Sequence, residues 1–183
     1  MQIEYKGSIS VADYNHLRRS AGWAEIEQVQ AQTGIHHSSI LLAAYDSDTC
    51  VGCLRVISDG GYIAIIVDVL VLPAYQNMGI GREMMSRALQ AIKEPLTAGQ
   101  RVMVNLMSAK DKEPFYEKFG FEARPSSEYG SGMIRYLEGR HAHSRGTVAV
   151  PFRAGFNPAA RIEMDRLECH IRRAVSFILF LPE

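Results

Sequence analysis

Apolar residues run almost without a break over residues 62–72, Tyr-Ile-Ala-Ile-Ile-Val-Asp-Val-Leu-Val-Leu. That is the pattern of a strand buried on both faces. Further on the period changes. Met84, Met85, Ala88, Leu89, Ala91 and Ile92 recur at i, i+3, i+4, i+7 and i+8 and give a helix one apolar face; Pro95 and Gly99 end it. Upstream, the pattern predicts strands over 3–6, 40–45 and 50–56 and helices over 10–21 and 24–33. Asp46-Ser-Asp is a turn signal that pairs the strands at 40–45 and 50–56 as a hairpin, and Asp59-Gly-Gly61 marks the turn into 62–72. Downstream, 101–107 reads as a strand. Phe115, Tyr116 and Phe119 follow at helical spacing, with Gly120 placed to end that helix in a left-handed conformation. Phe121 starts another strand, and 133–137 reads as a last one.

The segment between the long strand and the amphipathic helix, Gln76-Asn-Met-Gly-Ile-Gly-Arg82, is suited to hold a phosphate group. Gly79 and Gly81 allow close backbone approach or positive φ. The loop's N–H groups can converge on a pyrophosphate, with the positive end of the following helix behind them, and Arg82 adds a cation. A P-loop would need Lys-Ser/Thr after its second glycine, and the dinucleotide fingerprint a third glycine where Met84 stands. The order strand, Gln-x-x-Gly-x-Gly, helix resembles the coenzyme A loop of the GNAT superfamily of N-acetyltransferases.

A second stretch, Glu113-Pro-Phe-Tyr-Glu-Lys-Phe-Gly-Phe121, resembles the second signature of that family. The resemblance covers most of residues 1–138. It implies an α/β (mixed α+β) fold, a mixed, twisted sheet with helices on both sides. It implies acetyl-CoA as cosubstrate, held by the loop residues Gln76, Asn77, Met78, Gly79, Ile80, Gly81 and Arg82. It further implies a pantetheine arm that enters where two parallel strands splay apart, between 69–72 and 104–107. Main-chain groups of Val69, Leu70 and Val71 would bond that arm like an added strand. By the same resemblance Tyr116 is the general acid for the thiolate leaving group. A phenol suits that role, since it can stabilise developing charge and supply a proton.

Two positions depart from the family. Ile65 stands where several relatives carry a catalytic Glu or His, and Ala109 where many carry a coenzyme-binding Asn, leaving that contact to Ser108 or the backbone. The nearest ionisable residue on the strand is Asp68. Strand alternation puts it on the opposite sheet face from Ile65. It either contacts substrate or is a buried carboxylate bonded to a neighbouring helix, because a buried Asp must be paired.

Composition fits a soluble domain. The chain has 183 residues, 47% of them hydrophobic, and a formal net charge of zero, which argues against nucleic-acid binding. Its apolar stretches are too short to span a membrane. The first residues, Met-Gln-Ile-Glu-Tyr-Lys, lack a signal peptide's apolar region, and three cysteines make no disulfide framework, so a cytoplasmic setting is expected. Cys50-Val-Gly-Cys53 spells a Cys-x-x-Cys, yet it lies on a predicted strand without further ligands at zinc spacing. Ordinary packing with the two thiols on opposite sides is expected, and no metal. His36-His37 reads as a solvated pair. Trp23 either contacts substrate or anchors the junction of the two early helices, and Tyr129 in the loop 125–132 either covers the acceptor pocket or decorates a plain hairpin.

Residues 139–183 change character. They hold seven Arg, no Lys and four acidic residues, +3, whereas residues 1–138 hold thirteen Lys and Arg against sixteen Asp and Glu, −3. A short strand over 147–152 and a helix over 159–180, apolar almost all round at 174–181, are expected. This unassigned extension is either a dimerisation arm or adventitious. The sequence thus points to an acetyltransferase domain, 1–138, acting on a primary amine, with a small molecule the first choice of acceptor. A protein lysine or N-terminal amine is the alternative among enzymes. A non-catalytic coenzyme-binding or interaction module is the alternative outside them.

Overall fold

In the computed structural model, which describes residues 2–136, the hydrophobic runs become one five-stranded sheet in sequential order. Strands β1 (Ile3–Lys6), β2 (Ile40–Asp46), β3 (Thr49–Ser58) and β4 (Ile63–Val71) pair antiparallel, and β5 (Met103–Leu106) joins β4 in parallel. Helices α1 (Val11–Ser20) and α2 (Gln28–His36) connect β1 to β2. After β4 come a single 3-10 turn (Pro73–Tyr75), helix α3 (Ile80–Lys93), β5 and the short helix α4 (Glu113–Glu117). A parallel neighbour requires a crossover, and α3 supplies it.

The sheet has a core on each face. Val51, Leu54, Val56, Ala64 and Ile66 bury against Ile80, Met84, Met85 and Ala88 of α3. On the other face Ala43, Cys50, Cys53 and Leu70 meet Tyr14 and Leu17 of α1 and Ala31 and Ile35 of α2. This is the mixed, helix-flanked sheet that the family resemblance implies.

The structure departs from the expected elements at three places. The second helix begins at Gln28 rather than at Ala24. The preceding residues are tied to α1 instead: Asn15 Nδ2 donates to the Ile26 carbonyl at 2.9 Å and Asn15 Oδ1 accepts from Ile26 N–H at 3.1 Å. Arg18 Nε donates to the Ala24 carbonyl at 2.9 Å, and Arg19 pairs with Glu25. These side chains supply a competing set of bonds to the backbone, which helix would otherwise take. Secondly, residues 121–136 contain no strand. Met133, Ile134 and Tyr136 are exposed, so the expected pattern there has no partner strand among the described residues. Thirdly, Cys50 and Cys53 lie in the same core rather than on opposite sides. The register slips between Ala44↔Gly52 and Tyr45↔Cys50, so one extra residue in β3 resets the alternation. Both thiols are buried and free, and burial pushes the Cys50 thiol up to about 11, as packing residues should be.

The expectations for 139–183, and the end of the last strand at Leu137, lie outside the described residues.

Candidate active site

The pairing of β4 with β5 stops at Ile66↔Leu106. Residues 67–71 of β4 continue against β3 alone, and Leu72 N–H still donates to the Val51 carbonyl at 2.8 Å. The edge of β4 that faces away from β3 is therefore left without a strand partner among the described residues, at the place where the family resemblance implies a splay. Val69, Leu70 and Val71 all lie on this stretch. One of its carbonyls is engaged, because Gln76 Nε2 donates to Val71 O at 3.1 Å and staples the glycine loop to the strand end.

The loop makes its turn with two left-handed residues, Asn77 at φ 63° and Gly79 at φ 86°. Gly79 is the N-cap of α3 and offers no side-chain cap. The N–H of Glu83 bonds to the Gly79 carbonyl at 2.9 Å. The N–H groups of Ile80, Gly81 and Arg82 belong to the first turn, where an α-helix has no partner of its own for them. Asn77, Met78, Gly79 and Arg82 are exposed, Ile80 is buried in the core below, and Gly81 is half-buried. A Cβ on Gly79 would meet nothing within 4 Å, whereas one on Gly81 would stand 3.5 Å from the Phe115 ring and 3.8 Å from the Val71 side chain. Gly81 therefore lets α3 begin close to both β4 and α4. The arrangement fits a pyrophosphate: an uncapped helix start, an open approach over Gly79, and an exposed cation at Arg82.

Helix α4 brings Tyr116 to the α3 side of the sheet, packed edge-on against Phe115 (5.0 Å between centroids) and Phe121 (6.4 Å). The side chain is half-buried, and that burial holds its phenol above the usual tyrosine range. Ser108 Oγ donates to the Ala109 carbonyl at 2.8 Å, so its proton is used locally.

Asp68 is the residue whose placement alternation alone gets wrong. Between Cys53↔Leu70 and Arg55↔Val67 two residues of β4 oppose one of β3, a second bulge, and Asp68 within it takes φ 53°. Val67 and Asp68 consequently both face α1, the same face as Ile65, whose partner across the ladder is Ile57. Asp68 accepts a hydrogen bond from Tyr14 Oη at 2.8 Å and pairs with Arg18 Nη1 at 3.4 Å and Arg55 Nε at 3.0 Å. All three charged side chains are largely buried, 16% exposed for Arg18, 10% for Arg55 and 12% for Asp68. Burial, and next the Asp68 carboxylate, push the Tyr14 phenol up to about 12. The Cys53 thiol donates to the Asp68 carbonyl at 3.5 Å, occupying a backbone acceptor that the bulge takes out of the ladder. Arg55 and Tyr14 are the parts that the sequence reading passed over. The signal was a lone Arg in the apolar strand 50–56 beside a lone Asp in the next.

This cluster lines a cleft of about 320 Å³ between α1, α2 and the sheet. Trp23 stands beside it, its ring 5.3 Å from Arg18 Cζ and its backbone N–H donating to the Arg18 carbonyl, and so anchors the helix junction. Tyr129 instead stacks with Arg124 at 4.9 Å and is not among the residues that line the cleft. The described residues hold no cluster of three metal-ligating side chains and no helix long and apolar enough to cross a membrane.

A family model for the acetyltransferase (GNAT) domain matches residues 36–123, from the end of α2 through α4. A solved GNAT-family acetyltransferase from Streptococcus pneumoniae is 30% identical, with a TM-score of 0.61 over 75% of this chain and 98% of its own. The chain belongs to the GNAT superfamily of N-acetyltransferases. A protein of unknown function from meticillin-resistant Staphylococcus aureus shares the fold at TM-score 0.66 and 29% identity over 74% of this chain and 100% of its own. The uncharacterized N-acetyltransferase ycf52 of Porphyra purpurea is 28% identical over 127 residues, 67% of this chain and 71% of that protein. The matched GNAT region contains the splayed strands, the glycine loop and Tyr116, while α1 and most of α2, which wall the cleft, lie before it.

Proposed function

We propose that this GNAT protein transfers the acetyl group of acetyl-CoA to a primary amine, with a small molecule as acceptor, by direct attack. The observation that carries the reading is the parting of β4 from β5 after Ile66↔Leu106 beside a helix start capped by left-handed Gly79. A strand-like pantetheine arm would lie along Val69, Leu70 and Val71. The pyrophosphate would sit on the loop from Gln76 to Arg82. The neutral amine attacks the thioester carbonyl, forming the C–N bond and breaking C–S. Tyr116 gives its proton to the departing sulfur, and the surplus amine proton returns through water to restore the phenol.

Burial suits Tyr116 to this task, because a phenol held above its ordinary pKa is protonated throughout the neutral range. Asp68 is poorly suited as a base: Tyr14, Arg18 and Arg55 already surround its carboxylate. The apolar Ile65 favours a second reading, a module that binds the coenzyme without turnover. The two separate at Tyr116. Tyr116→Phe should lower kcat tenfold or more while acetyl-CoA affinity is kept; an unchanged rate removes Tyr116 from the mechanism.

A further inference from the structure

We infer that the acceptor amine also carries a carboxylate, and that Arg55 receives it. The inference rests on the acetyl-transfer reading and names its substrate class.

The cleft between α1, α2 and the sheet adjoins the coenzyme gap. Its floor includes Val67 and Asp68, the two residues that follow the last β4–β5 pair. An acceptor seated there can therefore extend its amine toward the parting strands. The cleft's charged residues are Arg18, Arg55 and Asp68, two cations against one anion. One guanidinium charge is thus left over in a largely buried place, where an uncompensated charge is costly.

The two arginines are not equivalent. Arg18 is committed: Nε donates to the Ala24 carbonyl, Nη1 reaches Asp68, and the guanidinium lies over Trp23. Arg55 is not. Its Nε is buried and has no acceptor in hydrogen-bonding geometry, although the Asp68 carboxylate stands 3.0 Å away. Its guanidinium rests 5.6 Å from the Tyr14 ring, which fixes its position without using its donors. Helix α2 also makes room for it: a Cβ on Gly34 would lie 2.9 Å from Arg55 Nη1. A glycine inside a nine-residue helix costs about 1 kcal/mol relative to alanine, so the space comes at the expense of the helix. A planar fork of donors held beside an open cleft matches a carboxylate in shape. A single surplus positive charge matches a carboxylate in charge better than a dianionic phosphate. Ile57 and Val67, also in the lining, supply an apolar wall for the carbon chain between amine and acid.

The test is thiol release from acetyl-CoA with amine pairs that differ only in the acid. Amino acids and ω-amino acids of two to six carbons are compared with their carboxamides, and aminoalkyl phosphates form a third set. At least one carboxylate should exceed its carboxamide about tenfold or more in kcat/KM, mainly through KM. Gly34→Ala should still fold, judged by thermal melting, and keep acetyl-CoA affinity, yet narrow that preference several-fold by displacing the guanidinium. Arg55→Lys, which retains the charge without the fork, should narrow it as well. Equal rates for acids and amides, or preference for the phosphates, would overturn the inference while leaving acetyl transfer intact. Absence of both acetyl-CoA binding and thiol release with every amine would overturn the transfer reading and the inference together.

Discussion

A single aspartate in an apolar strand explains much of the site's construction. Asp68 occupies a left-handed conformation that costs a residue with a β-carbon about 1–2 kcal/mol. It is held there by Tyr14, Arg18 and Arg55. Asp68→Gly would relieve the strain but leave two guanidinium groups without their carboxylate. The electrostatic loss should dominate, at about 3–5 kcal/mol for a broken buried pair, so urea unfolding should show a clear net destabilisation. A variant as stable as the parent would mean that the bulge, not the charge, is what the position requires. Tyr14 carries a related prediction in alkali. Its folded pKa is raised to about 12 from an ordinary 10.0, so its contribution to stability is complete below pH 10 and is lost as pH rises toward 12. Thermal melting between pH 10 and 12 should fall less steeply in Tyr14→Phe than in the parent. On the proposed mechanism Tyr116 matters for rate rather than stability. Since burial raises its pKa, the loss of its proton should not depress kcat until above pH 10, and any rise of rate at lower pH should follow the acceptor amine.

At the scale of elements, the glycine-loop half of the candidate site was legible and the half walled by α1 and α2 was not. The Gly79–Gly81 loop, the strand before it and the amphipathic helix after it announce themselves by a change of period from continuous to 3.6, and the fold places them as expected. Gly79→Val should weaken acetyl-CoA binding at least tenfold with the circular dichroism spectrum kept, because a β-branched residue resists φ 86° at the helix cap. Retained affinity would remove the loop from the coenzyme's path. The bulges in β3 and β4 are another matter. One extra residue reverses every subsequent side chain's face, and nothing in Val67-Asp-Val-Leu marks where it falls. Hence Cys50 and Cys53 share a core, and Asp68 shares a face with Ile65. The late start of α2 was hidden for a similar reason: Asn15, eleven residues before Ile26, supplies the bonds that hold residues 24–27 out of the helix. Such long-range partners leave no local period. The opposed lone charges, Arg55 and Asp68 on neighbouring strands, were the one visible trace, since buried charges occur paired.

For the molecule as a whole, the sheet separates two cores, and on the proposed reading two tasks. Helix α3 and α4 lie with one core, beside the glycine loop and Tyr116. Helices α1 and α2 lie with the other and, with Arg55 and Asp68, wall the cleft. On the proposed reading, acetyl donor and acceptor meet where β4 parts from β5. Calorimetric titration of acetyl-CoA, followed by thiol release in the same sample as amines are added, tests this division most directly. Saturable binding of one acetyl-CoA per chain, with amine-dependent release of one thiol per amide formed, is the predicted result. Absence of binding would contradict it and reduce the loop to a turn between strand and helix.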